Sequence, residues 1–169
     1  MRFDKPRRKT RGKEVFVIVH NVRSLHNVGS LFRTADAAGT TKIYLTGYTP
    51  SPLDEFGRPR KEIQKTALGA EKYIPWEKRK DISRLIENLK EKRIAVIALE
   101  NIARAKDYRR IVPKKSFALI IGNEVRGLSK TVLKKADAII KIPMRGGKES
   151  LNVSTAFGIA IYKLLENRG

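Results

Sequence analysis

The sequence predicts an α/β protein built on a mainly parallel sheet. Apolar runs rich in β-branched residues alternate along the chain with segments of helical periodicity, and this alternation is typical of parallel strands joined by helices. Polar, glycine-bearing loops follow three of the apolar runs. Since ligands of such sheets bind beyond the carboxyl ends of the strands, these loops predict one shared site.

Length and composition predict one globular domain, residues 14–169, preceded by a basic arm, residues 1–13. The chain has 169 residues, of which 41% are apolar, which is enough for a core of its own. No apolar run approaches the roughly 18 residues of a membrane span, and no apolar signal core follows the first residues. We therefore expect a cytoplasmic protein without membrane contact.

The counts of cysteine and histidine argue against a metal site. The chain has no cysteine and two histidines, His20 and His26. Because thiolates and imidazoles are the usual ligands of protein-bound zinc, we expect no metal.

Charge is the strongest signal in the composition. Lys and Arg number 37 against 17 acids, a net charge of +20. Ion-pair networks of the thermophile kind would enrich acids together with bases, and here the acids are not enriched. A polyanionic partner explains the excess, and nucleic acid is favoured over a membrane surface because no amphipathic anchor is evident.

The first strand and helix are marked by clear local signals. Residues 14–19 form a continuous apolar run, which predicts a buried strand. Residues 28–39 have an amphipathic period, with Asn27 suited to the N-cap and Gly39 to the end of the helix. A second strand is predicted at residues 42–46.

Shorter elements are predicted in the middle of the chain. Residues 47–60 are rich in Pro and Gly and indicate a loop. A short helix is expected at 62–69 and a short strand at 73–74. Residues 81–90 place their apolar side chains on one stripe and predict an amphipathic helix.

Three further strands and two helices complete the fold. Buried strands are predicted at residues 93–99, 117–121 and 138–142, with a short helix at 130–135. The final helix is apolar over more than half of its circumference, whereas a helix resting on one sheet needs a narrower stripe. Its second buried side is either a partner subunit or another helix of the same chain, and the residues favour neither.

Common nucleotide-binding motifs are absent. A phosphate-loop interpretation of Gly146-Gly147-Lys148 fails, because Ile142 stands where the first glycine should be and Glu149 where Ser or Thr is required. No Gly-x-Gly-x-x-Gly follows a strand, and there is no Gly-x-Ser-x-Gly elbow.

Three other segments carry a family signature. Residues 27–39 (NVGSLFRTADAAG), 121–128 (IGNEVRGL) and 142–154 (IPMRGGKESLNVS) follow one another after matching strands. Together they resemble the SpoU (TrmH) family of RNA 2′-O-ribose methyltransferases, within the SPOUT class. The similarity covers residue 14 to the end, and residues 65–71 (KTALGAE) resemble a further family segment.

The resemblance implies a fold, a cofactor and an assembly. The SPOUT fold is a mainly parallel sheet with helices on both faces and a C-terminal deep trefoil knot, an exception to the usual absence of knots. The implied cofactor is S-adenosylmethionine and the implied active form is a homodimer. By the resemblance, the cofactor contacts the backbone around Leu99, Gly122, Ile142, Met144 and Leu151.

The resemblance also assigns catalytic positions. Arg33 matches the family's catalytic arginine and Asn27 the asparagine that orients the site, and Glu124, Ser150 and Asn152 match positions that hold the arginine, the ribose and the loops. Arginine stays protonated in proteins and is therefore a poor base, so positioning of the ribose is as credible a role as proton removal. Glu124 could instead cap the helix that follows it.

The RNA contacts are predicted from the arm and from loop arginines. These are Arg7, Arg8, Arg11, Arg23, Arg126 and Arg145. Whether the target is tRNA or rRNA stays open. The alternative function is a non-catalytic RNA-binding or ribosome-associated protein on the same fold, which the charge suits equally well. Base methylation is less favoured, because the Asn-Val-Ser ending of the third segment belongs to the ribose branch.

Overall fold

A computed structural model describes residues 12–166 and shows a seven-stranded sheet whose paired strands all run parallel. The strands are β1 (Val15–His20), β2 (Lys42–Thr46), β3 (Trp76–Arg79), β4 (Ala95–Leu99), β5 (Lys106–Asp107), β6 (Phe117–Ile121) and β7 (Ala138–Lys141). Their order across the sheet is β3-β2-β1-β6-β4-β7-β5. The predicted parallel α/β class is confirmed.

Helices cover both faces of the sheet. They are α1 (Leu25–Ala37), α2 (Lys61–Ala67), α3 (Ala70–Tyr73), α4 (Ile82–Glu91), α5 (Lys130–Lys135) and α6 (Val153–Leu165). Val17 of β1 packs in a core with α1, α2, α3 and α6, whereas Ile18 packs in a second core with α4 and α5. Because successive strand side chains point to opposite faces, the apolar run of β1 supplies both cores.

The first helix begins earlier than predicted. Ser24, not Asn27, is its N-cap, and the Ser24 hydroxyl accepts a hydrogen bond from the Asn27 backbone N–H at 3.2 Å. The prediction was wrong because serine is as good an N-cap residue as asparagine. Leu25 also packs against the core, so the helix begins there although the segment around it is polar. The predicted end is confirmed, since Gly39 follows the last turn at φ +72°.

The strand predicted at 73–74 is also wrong. Residue 73 ends α3, and the chain forms β3 three residues later. The strand β3 lies at the edge of the sheet and its sequence, Trp-Glu-Lys-Arg, has no apolar run. The opposite edge strand, β5, and the 3-10 helix Tyr108–Arg110 lie where the apolar pattern predicts no element. Short edge strands need no second buried face, so their sequences carry little strand signal.

The last helix is buried on more than one side within the chain. Phe157, Ala160 and Ile161 are buried in the core that also contains α1. Ile159 and Tyr162 remain 38% and 54% exposed. A neighbouring helix therefore accounts for part of the broad apolar face, and the partner subunit stays a prediction for the rest. The trefoil knot likewise stays a prediction.

No helix within the described range is both long and apolar enough to cross a membrane.

Candidate active site

A cleft of about 510 Å³ opens beyond the carboxyl ends of β4, β6 and β7. Its walls come from the loops that follow these three strands. The five residues expected to surround a cofactor all line it, and they are Leu99, Gly122, Ile142, Met144 and Leu151. The polar loops after β6 and β7 thus meet at one site, as parallel strands require. The loop after β1 adjoins this site through hydrogen bonds instead of lining it.

Two residues that the sequence analysis missed tie the cleft walls together. The Glu100 carboxylate accepts hydrogen bonds from the backbone N–H groups of Leu128 at 2.7 Å and Asn101 at 3.2 Å. The Asn101 amide donates to the backbone carbonyl of Glu149 at 2.7 Å. We call this pair the Glu100–Asn101 bridge. It connects the loops after β4, β6 and β7, and its signal in the sequence was a polar pair directly after a buried strand.

Two glycines allow the cleft walls to approach one another. A Cβ on Gly122 would lie 2.6 Å from Leu128 Cδ2, and a Cβ on Gly127 would lie 2.3 Å from Glu100 Oε2. Gly127 also adopts φ +65°, which side chains rarely tolerate. Both positions therefore require glycine for the observed wall.

A chain of side chains joins the third family segment to the first. The Asn152 amide donates to Asn27 Oδ1 at 3.1 Å, and the Asn27 amide donates to Glu124 Oε1 at 3.3 Å. Glu124 also accepts from the backbone N–H groups of Ser24 at 3.2 Å and Arg23 at 3.3 Å. Three predicted catalytic residues are thus hydrogen-bonded in series, although the bonded pairs lie 97 and 125 residues apart in the chain.

Glu124 stabilises the start of α1 and does not cap the helix that follows it. The following helix, α5, is capped by the Ser129 hydroxyl, which accepts from the Val132 N–H at 3.3 Å. The alternative interpretation of Glu124 is therefore wrong. Burial would raise the pKa of the Glu124 carboxyl, but the backbone hydrogen bonds of Glu124, Ser24 and Arg23 and the Asn27 amide together lower it. The carboxylate is ionised at neutral pH, next to the electropositive end of a helix.

Asn152 has a second contact besides Asn27. Its Oδ1 is the N-cap of α6 and accepts from the Ser154 N–H at 3.0 Å and the Thr155 N–H at 3.4 Å. The fourth predicted residue, Ser150, lines the cleft two positions earlier. The end of the long loop is therefore fixed in place at the mouth of the cleft.

Arg33 lies apart from these four residues. It is exposed on α1 and lines a separate hollow of about 560 Å³ between α1, α2 and α6. The other lining residues are Ser30, Thr34, Ala37, Lys65, Thr66 and Tyr162. Within residues 12–166, the Arg33 side chain makes neither a hydrogen bond nor an ion pair. We call this the Arg33 hollow, and it shares no lining residue with the cleft.

The predicted RNA contacts divide into described and undescribed residues. Arg23, Arg126 and Arg145 are exposed on the loops around the cleft, whereas Arg7, Arg8 and Arg11 fall outside the described residues. In the part of the chain that the structure describes, no three His, Cys, Asp or Glu side chains are grouped to hold a metal ion.

Comparison with known proteins identifies the relatives of this arrangement. The model of the SpoU rRNA Methylase family matches residues 14–162. YacO of Bacillus subtilis, which carries the name of a TrmH family tRNA/rRNA methyltransferase, is 33% identical over 153 residues, which are 90% of this chain and 59% of YacO. A Staphylococcus aureus protein of the same family name is 31% identical over 98% of this chain and 64% of its own length. The chain thus spans less than two thirds of these relatives.

Solved structures show the same architecture. The TrmH/SpoU tRNA modifying enzyme of A. aeolicus superposes with a TM-score of 0.82 at 28% identity, over 94% of this chain and 77% of that one. An rRNA methyltransferase of Sinorhizobium meliloti, solved with AdoMet bound, superposes with a TM-score of 0.78 at 30% identity, over 93% of this chain and 57% of that one.

Proposed function

Since the chain belongs to the SpoU rRNA methylase family, we propose that it is an S-adenosylmethionine-dependent methyltransferase acting on ribose 2′-hydroxyls of cytoplasmic tRNA or rRNA. The observation that carries this proposal is the cleft. Its size falls in the range of about 300–1,000 Å³ of small-ligand sites, and its walls combine apolar side chains with backbone groups of the loops after β4, β6 and β7.

The residues present fit the cofactor. Leu99, Ile142, Met144 and Leu151 offer apolar surface for an adenine and a methionine chain, and Gly122 lets Leu128 pack closely against the wall they form. When bound, S-adenosylmethionine supplies a methyl group on a positively charged sulfur. The AdoMet-bound S. meliloti relative supports this assignment.

The hydrogen-bonded series beside the cleft is assigned to the ribose. Glu124 is ionised and fixed by hydrogen bonds from Arg23, Ser24 and Asn27, so it provides a placed acceptor at the edge of the cleft. Asn27 binds that carboxylate and also binds Asn152, so the carboxylate and the end of the loop after β7 keep fixed relative positions. These groups orient a hydroxyl, which is the requirement for in-line attack on a methyl group.

Arg33 is assigned to the RNA backbone. A guanidinium stays protonated in proteins and is a poor proton acceptor, but it binds phosphate well. It has no polar partner within the described chain, and Lys65 lines the same hollow. A phosphate next to the target ribose fits this pair of cations, and its binding would offset part of their charge and position the nucleotide.

A homodimer completes the proposal. Tyr162 lines the Arg33 hollow and, with Ile159, forms the exposed apolar part of α6. A second copy covering this face would bring its own loops to the Arg33 hollow. The cleft and Arg33, which are separate in one chain, would then belong to one site between two subunits.

The test is transfer of labelled methyl groups from S-adenosylmethionine to unmodified tRNA and rRNA, followed by mass spectrometry of the digested nucleosides. We expect 2′-O-methyl nucleosides. Methyl groups on bases would overturn the ribose assignment and leave the family intact. Absence of cofactor binding in calorimetry would overturn the methyltransferase assignment, and cofactor-independent RNA binding without transfer would favour the non-catalytic alternative.

A further inference from the structure

The connection between β4 and β6 is the most basic stretch of the described chain that the proposed site does not use. Residues 104–115 contain six Lys and Arg residues and a single acid. The six are Arg104, Lys106, Arg109, Arg110, Lys114 and Lys115, and all are exposed. We call this surface the basic ridge.

Most of these cations have no acidic partner. The single acid, Asp107, pairs with Arg109 at 2.5 Å, and the Arg109 guanidinium holds the pKa of that carboxyl well below its usual range. Within residues 12–166 the other five make no ion pair. The surface of α4 and α5 differs, because Lys90 pairs with Asp137 at 3.1 Å and Lys135 with Glu87 at 2.5 Å. Unpaired like charges repel one another unless a polyanion neutralises them, so the ridge has the composition of a binding surface.

The backbone of the ridge is held by the fold. The strand β5 pairs with the end of β7, with Lys106 opposite Ile140 and Asp107 opposite Lys141. Ala105 is buried, and Tyr108 and Ile111 pack against the core that contains α6. The backbone of residues 105–111 is therefore held in place, which reduces the backbone entropy lost there when a partner binds.

The ridge begins at the cleft. Asn101, which lines the cleft, stands three residues before Arg104. Lys141 lines the cleft as well, and its ammonium donates to the carbonyls of Ile102 at 3.3 Å and Ala103 at 3.4 Å. A chain of phosphates lying on the ridge would therefore reach the edge of the site.

We propose that the basic ridge binds the phosphate backbone of the substrate RNA outside the modified nucleotide and so holds the RNA at the cleft. This inference rests on the proposed function for its RNA substrate. The ridge carries charge without exposed aromatic rings at its cations, so it contributes affinity and not base recognition.

The experiment compares two double variants in fluorescence anisotropy with labelled unmodified tRNA and rRNA fragments. Lys114→Gln/Lys115→Gln removes two ridge cations, and Lys130→Gln/Lys134→Gln removes two exposed lysines of α5, outside the ridge. Removing one cation that binds a phosphate lowers the slope of log K against log salt by about one in magnitude. We expect the slope of the ridge variant to fall by about two in magnitude and the α5 variant to keep the wild-type slope.

Cofactor calorimetry and methyl transfer run on the same proteins separate the possible failures. Unchanged cofactor affinity with a raised KM for RNA in the ridge variant supports the proposal. If the wild type transfers methyl groups to RNA but both variants have equal salt slopes, the ridge proposal is overturned and the proposed function is not. A wild type that neither binds nor methylates RNA overturns the proposed function and the ridge with it.

Discussion

The cleft is braced by hydrogen bonds between its three loops, whereas the Arg33 hollow is an open surface between helices. Glu100 and Asn101 join the loops around the cleft, and Glu124 joins them to the start of α1. Arg33 has no polar partner in the described chain and stands exposed on α1. The cleft is preorganised by its own hydrogen bonds, whereas the Arg33 hollow presents a positive charge that no group of the described chain neutralises.

This difference indicates how each of the two proposed binding regions becomes ordered. A preorganised cleft binds its cofactor without first arranging its loops, which favours affinity. The Arg33 hollow is completed only by something from outside the chain, either RNA or a second copy. Variants of the hollow should therefore affect RNA binding and methyl transfer without affecting cofactor binding, and variants of the cleft should affect cofactor binding first.

The largest effect is expected from Arg33→Ala. Loss of the cation proposed to hold the phosphate next to the target ribose misplaces that ribose and lowers the rate of methyl transfer by about 10²- to 10³-fold, while the cofactor Kd should not change because Arg33 does not line the cleft. Single-turnover methyl transfer and calorimetry measure the two effects. Arg84→Ala, an exposed arginine on α4, is the matched control. A weaker cofactor Kd in Arg33→Ala would remove the distinction between the two regions.

The next effect is expected from Gly122→Ala. Its Cβ would lie 2.6 Å and 2.8 Å from two carbons of the Leu128 side chain and 3.1 Å from the backbone of Gly127, so the wall must shift. Overpacking of this kind costs about 1–3 kcal/mol, which corresponds to a cofactor Kd raised about 5- to 160-fold. Gly147→Ala is the control, since no atom lies within 4 Å of its added Cβ. An unchanged Kd in Gly122→Ala would show that the cleft is not preformed.

The two regions also differ in how far the sequence predicted them. The walls at Gly122, Ile142 and Leu151 follow buried strands and stand in segments with a family signature, so the resemblance named them in advance. The Glu100–Asn101 bridge was missed because its partners lie 28 and 48 residues away, and a polar pair after a buried strand does not identify partners at such distances. The helix cap was misplaced for a local reason, since two good capping residues stand three positions apart.

The fold shows the same division. The central strands are buried on both faces and form continuous apolar runs, so they were located closely. The edge strands β3 and β5 are short and polar, and neither was predicted. Edge strands are defined by pairing with a neighbour that the sequence does not identify, which is why the residues alone did not predict this part of the fold.

A smaller effect is expected from Glu100→Ala. The Leu128 N–H would lose its acceptor, and an unpaired buried donor costs about 1–3 kcal/mol. Part of this free energy destabilises the cleft wall at Leu128. We therefore expect the cofactor Kd to rise about tenfold. Glu100→Gln keeps one carbonyl acceptor and should recover most of the affinity in the same titration. Equal losses in both variants would mean that the carboxylate acts through charge and not by bracing the loops.

The smallest effect is expected on the pH dependence of stability, through Glu124, which links the cleft to α1. The folded protein lowers the pKa of Glu124 below its ordinary value of 4.5, so the ionised carboxylate stabilises the fold above that pH. This contribution is lost as pH falls through the lowered pKa, because the carboxylate must then take up a proton in the folded state as well. Since Glu124 is partly exposed, we expect less than about 1 kcal/mol.

Urea unfolding of wild type and Glu124→Gln between about pH 6 and pH 3 measures this contribution. The difference in unfolding free energy should be largest at the upper end of this range and should shrink towards its acid end. Asp54 and Glu77 also have lowered pKa values, from backbone hydrogen bonding to Arg58 and a side-chain hydrogen bond to Lys42 respectively, but they are present in both proteins and cancel in the difference. Glu55→Gln, at an exposed loop position, is the control. A difference independent of pH would mean that Asn27 and the backbone donors hold the start of α1 without the charge, and that the cleft is joined to the helix bearing Arg33 by geometry alone.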